Sequence, residues 1–181
     1  MGTNKLLLPF EGETVLRRSV RRALAAALSP VVVVLGYEAD RAIGELRGLA
    51  CQPVLNPDHA RGMNGSIRTG VAAVPAGASA VVVLLADMPL VTSRMIAEVV
   101  ERHRGDGAAL VVSTYGDVVA PPMLYHRSLF PELGALDGDG CGKRVYKRHR
   151  EAAIAVPQPA DALADLDQPG DYARLRSRAE G

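Results

Sequence analysis

Apolar positions along the chain follow two rhythms, and their alternation predicts the fold. Val31–Leu35 and 80–86 are continuous apolar runs rich in β-branched residues, the pattern of strands covered on both faces. Over 14–28, Val15, Leu16, Val20, Ala23, Leu24, Ala27 and Leu28 recur at helical spacing. Arg17, Arg18, Arg21 and Arg22 cover the other side, which predicts an amphipathic helix with a solvated arginine face. Pro30 ends it.

A weaker helix is expected over 38–49, around Gly44, and a short strand over 52–55 closed by Asn56-Pro57-Asp58. Residues 64–74 read as a helix of small residues. Residues 92–103 read as another, with Thr92 as N-cap ahead of Met95, Ile96, Val99 and Val100. Strand and helix in alternation predict an α/β fold with a mostly parallel sheet and right-handed crossovers. Beyond Gly107 the rhythm changes. The strand-like pieces 108–114 and 118–125, joined at Tyr115-Gly116-Asp117, predict an antiparallel excursion in the C-terminal half. A short helix (128–136), a glycine-rich loop (138–142), a basic helix (Lys143–His149), a short strand (152–156) and a closing helix (170–177) complete the reading. With no repeat, linker or low-complexity tract, a single domain over residues 1–181 is expected.

Composition narrows the function. A net charge of +1 and 4% aromatic residues exclude a nucleic-acid surface, which wants a basic excess and stacking rings. Cys51 and Cys141 lie far apart with no CxxC pair, so neither a zinc site nor a disulfide framework is indicated. No run has membrane-span length and no signal-peptide core precedes a cleavage site, so a cytoplasmic protein without a membrane partner is expected.

The candidate chemistry starts at Asp87, at the C-terminal end of the 80–86 run, where open parallel sheets place their ligands. Asp87 reads either as the cap of the next helix or as a metal ligand, and Thr92 is the better placed cap. Asp165 and Asp167 alternate, so in extended chain both point to one face; with Asp87, one of them would complete a Mg²⁺ site. Read locally, Asp167 is a cap and Asp165 is solvated. Arg61-Gly62-Met63-Asn64-Gly65-Ser66 joins a strand end to a helix start, where free amides can face an anion or where Asn64 or Ser66 can cap. Gly138-Asp139-Gly140-Cys141-Gly142-Lys143 is too short for a phosphate loop of the nucleoside triphosphatases, and Arg144 follows the lysine where Ser or Thr is required. His59, His103, His126 and His149 share no spacing and no evident carboxylate, and read as surface residues. A phospho-receiver domain would need an earlier acidic pair and a shorter chain.

Several segments together resemble one family. Residues 1–9, ending Lys5-Leu6-Leu7-Leu8-Pro9, resemble the tail of the signature of the MobA-like nucleotidyltransferases. Asn56-Pro57-Asp58 with Gly62, Met63 and Ser66, then Ala86-Asp87-Met88-Pro89-Leu90, then Asp165-Leu166-Asp167-Gln168-Pro169-Gly170-Asp171 follow in family order. The chain is most similar to the molybdenum cofactor cytidylyltransferase branch, which has a glycine, a large apolar residue and a serine in the loop after the third strand.

The resemblance implies a Rossmann-like, three-layer α/β/α fold and a Mg²⁺-dependent reaction. A terminal phosphate of a phosphorylated pterin cofactor would attack the α-phosphorus of CTP, and pyrophosphate would leave. It implies that Lys5 and Asp87 are catalytic, with Lys5 against the nucleotide's phosphates. Asp87 with Asp167, or with Asp165, would hold the metal, and Asn56, Gly62 and Ser66 would shape the nucleotide pocket. A molybdoenzyme or its chaperone is the protein partner implied.

Two departures matter. The family's opening strand and glycine-rich loop are missing ahead of Met1-Gly2. In the family that strand lies between those at Val31–Leu35 and 80–86. Strands sit ~4.8 Å apart, so its loss would leave a slot roughly 10 Å wide. The expectation is that the natural start lies upstream of Met1; the alternative is a truncated, inactive nucleotide- or partner-binding relative. Also, Ala120-Pro121-Pro122-Met123-Leu124 stands where many relatives carry Gly-His-Pro-Val-Leu. That change bears on the acceptor and leaves open another phosphorylated acceptor, such as a sugar phosphate.

Overall fold

The valine-rich runs form strands wherever a neighbouring run can complete their ladders. The structure is a computed structural model and describes residues 4–138, 140 and 142–164. A hairpin of β1 (Pro9–Phe10) and β2 (Glu13–Thr14), which the hydrophobic pattern did not predict, turns through Glu11 and Gly12, both at positive φ. It feeds α1 (Val15–Ala25), where the Thr14 side chain caps the helix by accepting from the Arg17 amide. Then come β3 (Val31–Leu35), α2 (Ala39–Glu45), β4 (Cys51–Leu55), α3 (Met63–Ala72) and β5 (Ala80–Val83). The chain continues through α4 (Ser93–Asp106), β6 (Leu110–Tyr115), β7 (Val118–His126), α5 (Phe130–Gly134), α6 (Lys143–His149) and β8 (Ile154–Pro157). Thr92 is the N-cap of α4, accepting from the Met95 amide as the pattern predicts.

β3 and β4 pair in parallel, Val31 opposite Cys51 through Leu35 opposite Leu55. A second sheet has the order β5-β7-β6-β8. There β7 runs against both β5 and β6, while β8 is parallel to β6, so β7 is the antiparallel excursion. Among the described residues no ladder joins β3 or β4 to β5. The division falls where the resemblance places the family's opening strand.

Helices hold the two pieces together from both faces. α3 crosses the division: Gly70 lies so close to β3 that a Cβ on it would come within 3.2 Å of Val34 Cγ2. Ile67 and Val71 of the same helix pack with Val81 and Val83 of β5. Leu110, Val112, Met123 and Tyr125 bury toward α3, α5 and α6, whereas Val111 and Leu124 bury against Val99 of α4. This alternation gives the three-layer α/β/α arrangement.

Three expectations need correction. The 80–86 run forms a strand only over Ala80–Val83, and its residues are half-buried rather than fully covered; among the described residues β5 has a ladder partner on one side only. Arg18 is buried, and Arg17 reaches the Glu45 and Arg47 carbonyls at 2.6 and 3.1 Å, so the arginine face of α1 is not simply solvated. The 38–49 helix shrinks to α2, which starts after Glu38 at φ 52°. The closing helix expected over 170–177 lies outside the described residues.

Candidate active site

Asp87 stands in the turn that follows β5, and Lys5 in a single 3₁₀ turn, Lys5–Leu7. Asn4 caps that turn, its Oδ1 accepting from the Leu6 amide at 3.2 Å. Leu6 and Leu7 anchor it on the cluster formed by α1, α2 and β3. So fixed, Lys5 Nζ donates to Asp87 Oδ2 at 2.6 Å, with the two side chains 32% and 16% exposed. A charge pair this shielded keeps much of its attraction.

Asn56 leaves the end of β4 and is buried. Its amide donates to the Leu35 carbonyl at 2.8 Å, tying the ends of β3 and β4 together. Its Oδ1 accepts from the Asp58 amide at 3.1 Å, and its Nδ2 donates to Ser66 Oγ at 3.1 Å. Asn4, beside Lys5, reaches the Tyr37 carbonyl just beyond β3. The Lys5–Asp87 pair and the Asn56–Ser66 pair therefore flank the same strand end. A Cβ on Gly36, in that stretch, would overlap the His59 side chain, which explains the glycine there.

Gly62 is the N-cap of α3, at φ 111° and ψ 164°, and neither Asn64 nor Ser66 caps the helix. Two amides of this stretch are engaged within the protein: the Asn64 amide donates to Gly138 O at 3.1 Å and the Gly65 amide to Gly62 O at 3.3 Å. Asn64, which sequence reasoning weighed only as a cap, is 1% exposed. Its Nδ2 donates to Asp137 O at 3.0 Å, and its Oδ1 accepts from the Gly142 amide at 3.2 Å. A polar residue between two glycines was the available signal, but nothing in the spacing pointed to residues 137–142.

Asp165 and Asp167 lie outside the described residues. Among the described residues no three His, Cys, Asp or Glu side chains gather as a metal cluster. The donors at hand still suit Mg²⁺, a hard cation held by one or two carboxylates and completed by substrate phosphates and water. A cavity of about 550 Å³ beside the start of α4, lined by Leu90, Thr92, Met95 and Gln158, begins three residues past Asp87 and includes neither Asp87 nor Lys5. His149 proves to have a carboxylate partner, Glu132 Oε1 at 2.7 Å, and Arg148 shares it. These contacts, the His149 hydrogen bond foremost, hold the Glu132 carboxyl below its ordinary range.

Residues 1–153 match the family model described as the MobA-like NTP transferase domain. Purine catabolism protein PucB of Bacillus subtilis is 30% identical over 97% of this chain and 89% of its own length. The crystal structure of Rv0371c from Mycobacterium tuberculosis superposes with a TM-score of 0.86 at 25% identity, covering 98% of this chain and 90% of that one. A structure of Rv0371c in complex with manganese superposes with a TM-score of 0.77 at 27% identity, covering 96% and 91%.

Proposed function

The chain belongs to the MobA-like NTP transferase family and is a nucleotidyltransferase; from that premise we propose that it transfers CMP from CTP to the phosphate of a molybdopterin-type cofactor, with Mg²⁺ as the metal. The observation that carries this reading is the contact between Lys5 and Asp87 at the end of β5. An acceptor phosphate oxygen forms a bond to the α-phosphorus as the bond to the bridging α–β oxygen breaks, and that oxygen leaves with pyrophosphate. Little covalent work falls to the protein in such a displacement, so alignment and charge neutralisation carry the rate.

Lys5 Nζ offsets phosphate charge. Asp87, with Asp167 or Asp165 as the second carboxylate, holds Mg²⁺, which when bound neutralises further charge on the phosphates. That a mycobacterial relative has been solved as a complex with manganese supports a divalent cation requirement. Asn56 and Ser66, locked to each other, shape the nucleotide pocket with Gly62, where a side chain would be strained at φ 111°.

A second reading, transfer to a different phosphorylated acceptor such as a sugar phosphate, draws support from the likeness to a protein named for purine catabolism. The stretch Ala120-Pro121-Pro122-Met123-Leu124, which departs from the pattern of many relatives, supports a different acceptor as well. The test is pyrophosphate release with Mg²⁺ and each of CTP, GTP, ATP and UTP, paired with the pterin cofactor or a sugar 1-phosphate. CTP with the pterin is expected to turn over fastest, and turnover that survives Asp87→Ala excludes the metal assignment.

A further inference from the structure

The turn that carries Asp87 is gripped from one side by two consecutive residues of α1. Arg18 is 9% exposed, and its Nε–H donates to the Pro89 carbonyl at 3.0 Å. Its guanidinium also pairs with Glu11 Oε2 at 2.6 Å and lies 5.1 Å from the centre of the Phe10 ring. Ser19 Oγ lies 2.8 Å from the Ala86 carbonyl and donates to it, with the Val15 carbonyl the longer alternative at 3.1 Å. The carbonyls flanking Asp87, one residue before and two after, are thus both fixed to the same helix. Within the turn, the Met88 amide donates to Leu85 O and the Val91 amide to Met88 O.

A buried guanidinium is costly unless paired and hydrogen-bonded. Here its ion-pair partner Glu11 belongs to the β1–β2 turn, and its hydrogen-bond acceptor belongs to the Asp87 turn. We infer that Arg18 is a positioning residue of the active site, holding Asp87 against Lys5 through the Pro89 carbonyl, with Ser19 as its second point of attachment. This inference rests on the catalytic reading of Asp87 given above. Arg18 touches no reacting atom. Its contribution is to keep the carboxylate where a cation and a triphosphate meet, since misplacement by about 1 Å can cost on the order of 100-fold in rate.

The experiment compares Arg18→Lys, Arg18→Met and Ser19→Ala with Glu11→Gln, which removes the ion pair but leaves the Pro89 contact. Two readouts are taken on each full-length variant: hydrogen exchange at the Met88 and Val91 amides, and the Mg²⁺ and CTP dependence of turnover. Expected in the Arg18 variants are at least tenfold faster exchange at those two amides, with α4 and β6 unchanged. A fall of kcat of roughly 10- to 100-fold, a higher Mg²⁺ requirement and a KM for CTP within about twofold are also expected. Ser19→Ala should show a smaller version of the same pattern, and Glu11→Gln should lower the Tm by unpairing the buried guanidinium while keeping the exchange at those two amides and the kinetics of the unaltered chain.

Unchanged exchange at Met88 and Val91 overturns the inference, as does faster exchange with kcat and the Mg²⁺ requirement unaltered in an active protein. An unaltered chain without turnover, whose Arg18 variants still loosen only this turn, overturns the catalytic reading while Arg18's hold on the turn stands.

Discussion

Lys5 Nζ lies 2.6 Å from Asp87 Oδ2, so the ammonium proposed to meet phosphates and the carboxylate proposed to hold a cation neutralise each other across 82 positions of chain. Each ligand of the proposed reaction must therefore displace one half of the pair. A triphosphate that draws Lys5 away leaves Asp87 to a cation, and a cation on Asp87 weakens its attraction for Lys5. Mn²⁺ binding, followed by electron paramagnetic resonance, should tighten at least tenfold when CTP is present. Lys5→Met should bind Mn²⁺ alone more tightly than the unaltered chain, yet lose on the order of 100-fold in kcat. Chelation with EDTA should abolish turnover and added Mg²⁺ should restore it. Equal Mn²⁺ affinity with and without CTP would remove the competition from the account.

The Asn56–Ser66 hydrogen bond makes a separable prediction. Ser66→Ala leaves the buried Asn56 Nδ2 without its partner, which costs about 1–3 kcal/mol. The KM for the nucleotide should rise more than kcat falls, because the pocket wall and not the reacting centre is disturbed. Thermal denaturation and steady-state kinetics on the same preparation decide this. A loss confined to kcat would move Ser66 out of the nucleotide pocket.

Glu132 gives a pH prediction whose sign is fixed by its partners. The hydrogen bond from His149, and after it that from Arg148, depress its folded pKa. The folded chain therefore keeps Glu132 ionised at pH values where the unfolded chain has taken up a proton. The resulting stability is present above the ordinary glutamate range and is lost as pH falls through the depressed folded pKa. Glu132→Gln should lower Tm at neutral pH, and the gap between the two proteins should close as the solution is acidified below that range. A gap of constant size from neutral to acid pH would contradict the assignment.

Gly142 stands at φ 75°, and a Cβ there would come within 2.7 Å of the Tyr125 hydroxyl. Gly142→Ala should destabilise the fold by about 1–3 kcal/mol. Tyr125→Phe in the same chain should recover part of that loss, because the contact disappears while the backbone strain stays. A double-mutant cycle on urea denaturation midpoints measures the recovery.

β3 was legible as a strand from its valine run, although only Val31, Val33 and Leu35 are buried and Val32 and Val34 are half-buried; in β6 pattern and burial agree. The Thr92 cap was legible because a short polar side chain stands directly before an apolar helical face. β5 was misjudged in length and cover: seven apolar residues predict a buried strand only if partners exist on both edges, and periodicity does not count neighbours. Arg18 looked solvated because its acceptor at Pro89 is 71 residues away, beyond the reach of local spacing. Lys5 and Asp87 entered through family resemblance and strand-end position, and the geometry joins them. The proposed second carboxylate, Asp165 or Asp167, lies outside the described residues.

The divided sheet bears on how the molecule comes apart. Among the described residues, cohesion between β3 and β5 comes from side-chain packing of α3 and of Leu28 past α1 and from the Arg18 and Ser19 hydrogen bonds to the Asp87 turn, with no strand-to-strand ladder between the two strands. Such an arrangement favours two cooperative units, a smaller one of β3 and β4 with α2, and a larger one around β7. The smaller unit should melt first under denaturant, and because Asn56 belongs to it, the proposed nucleotide pocket should fail before the rest of the protein does.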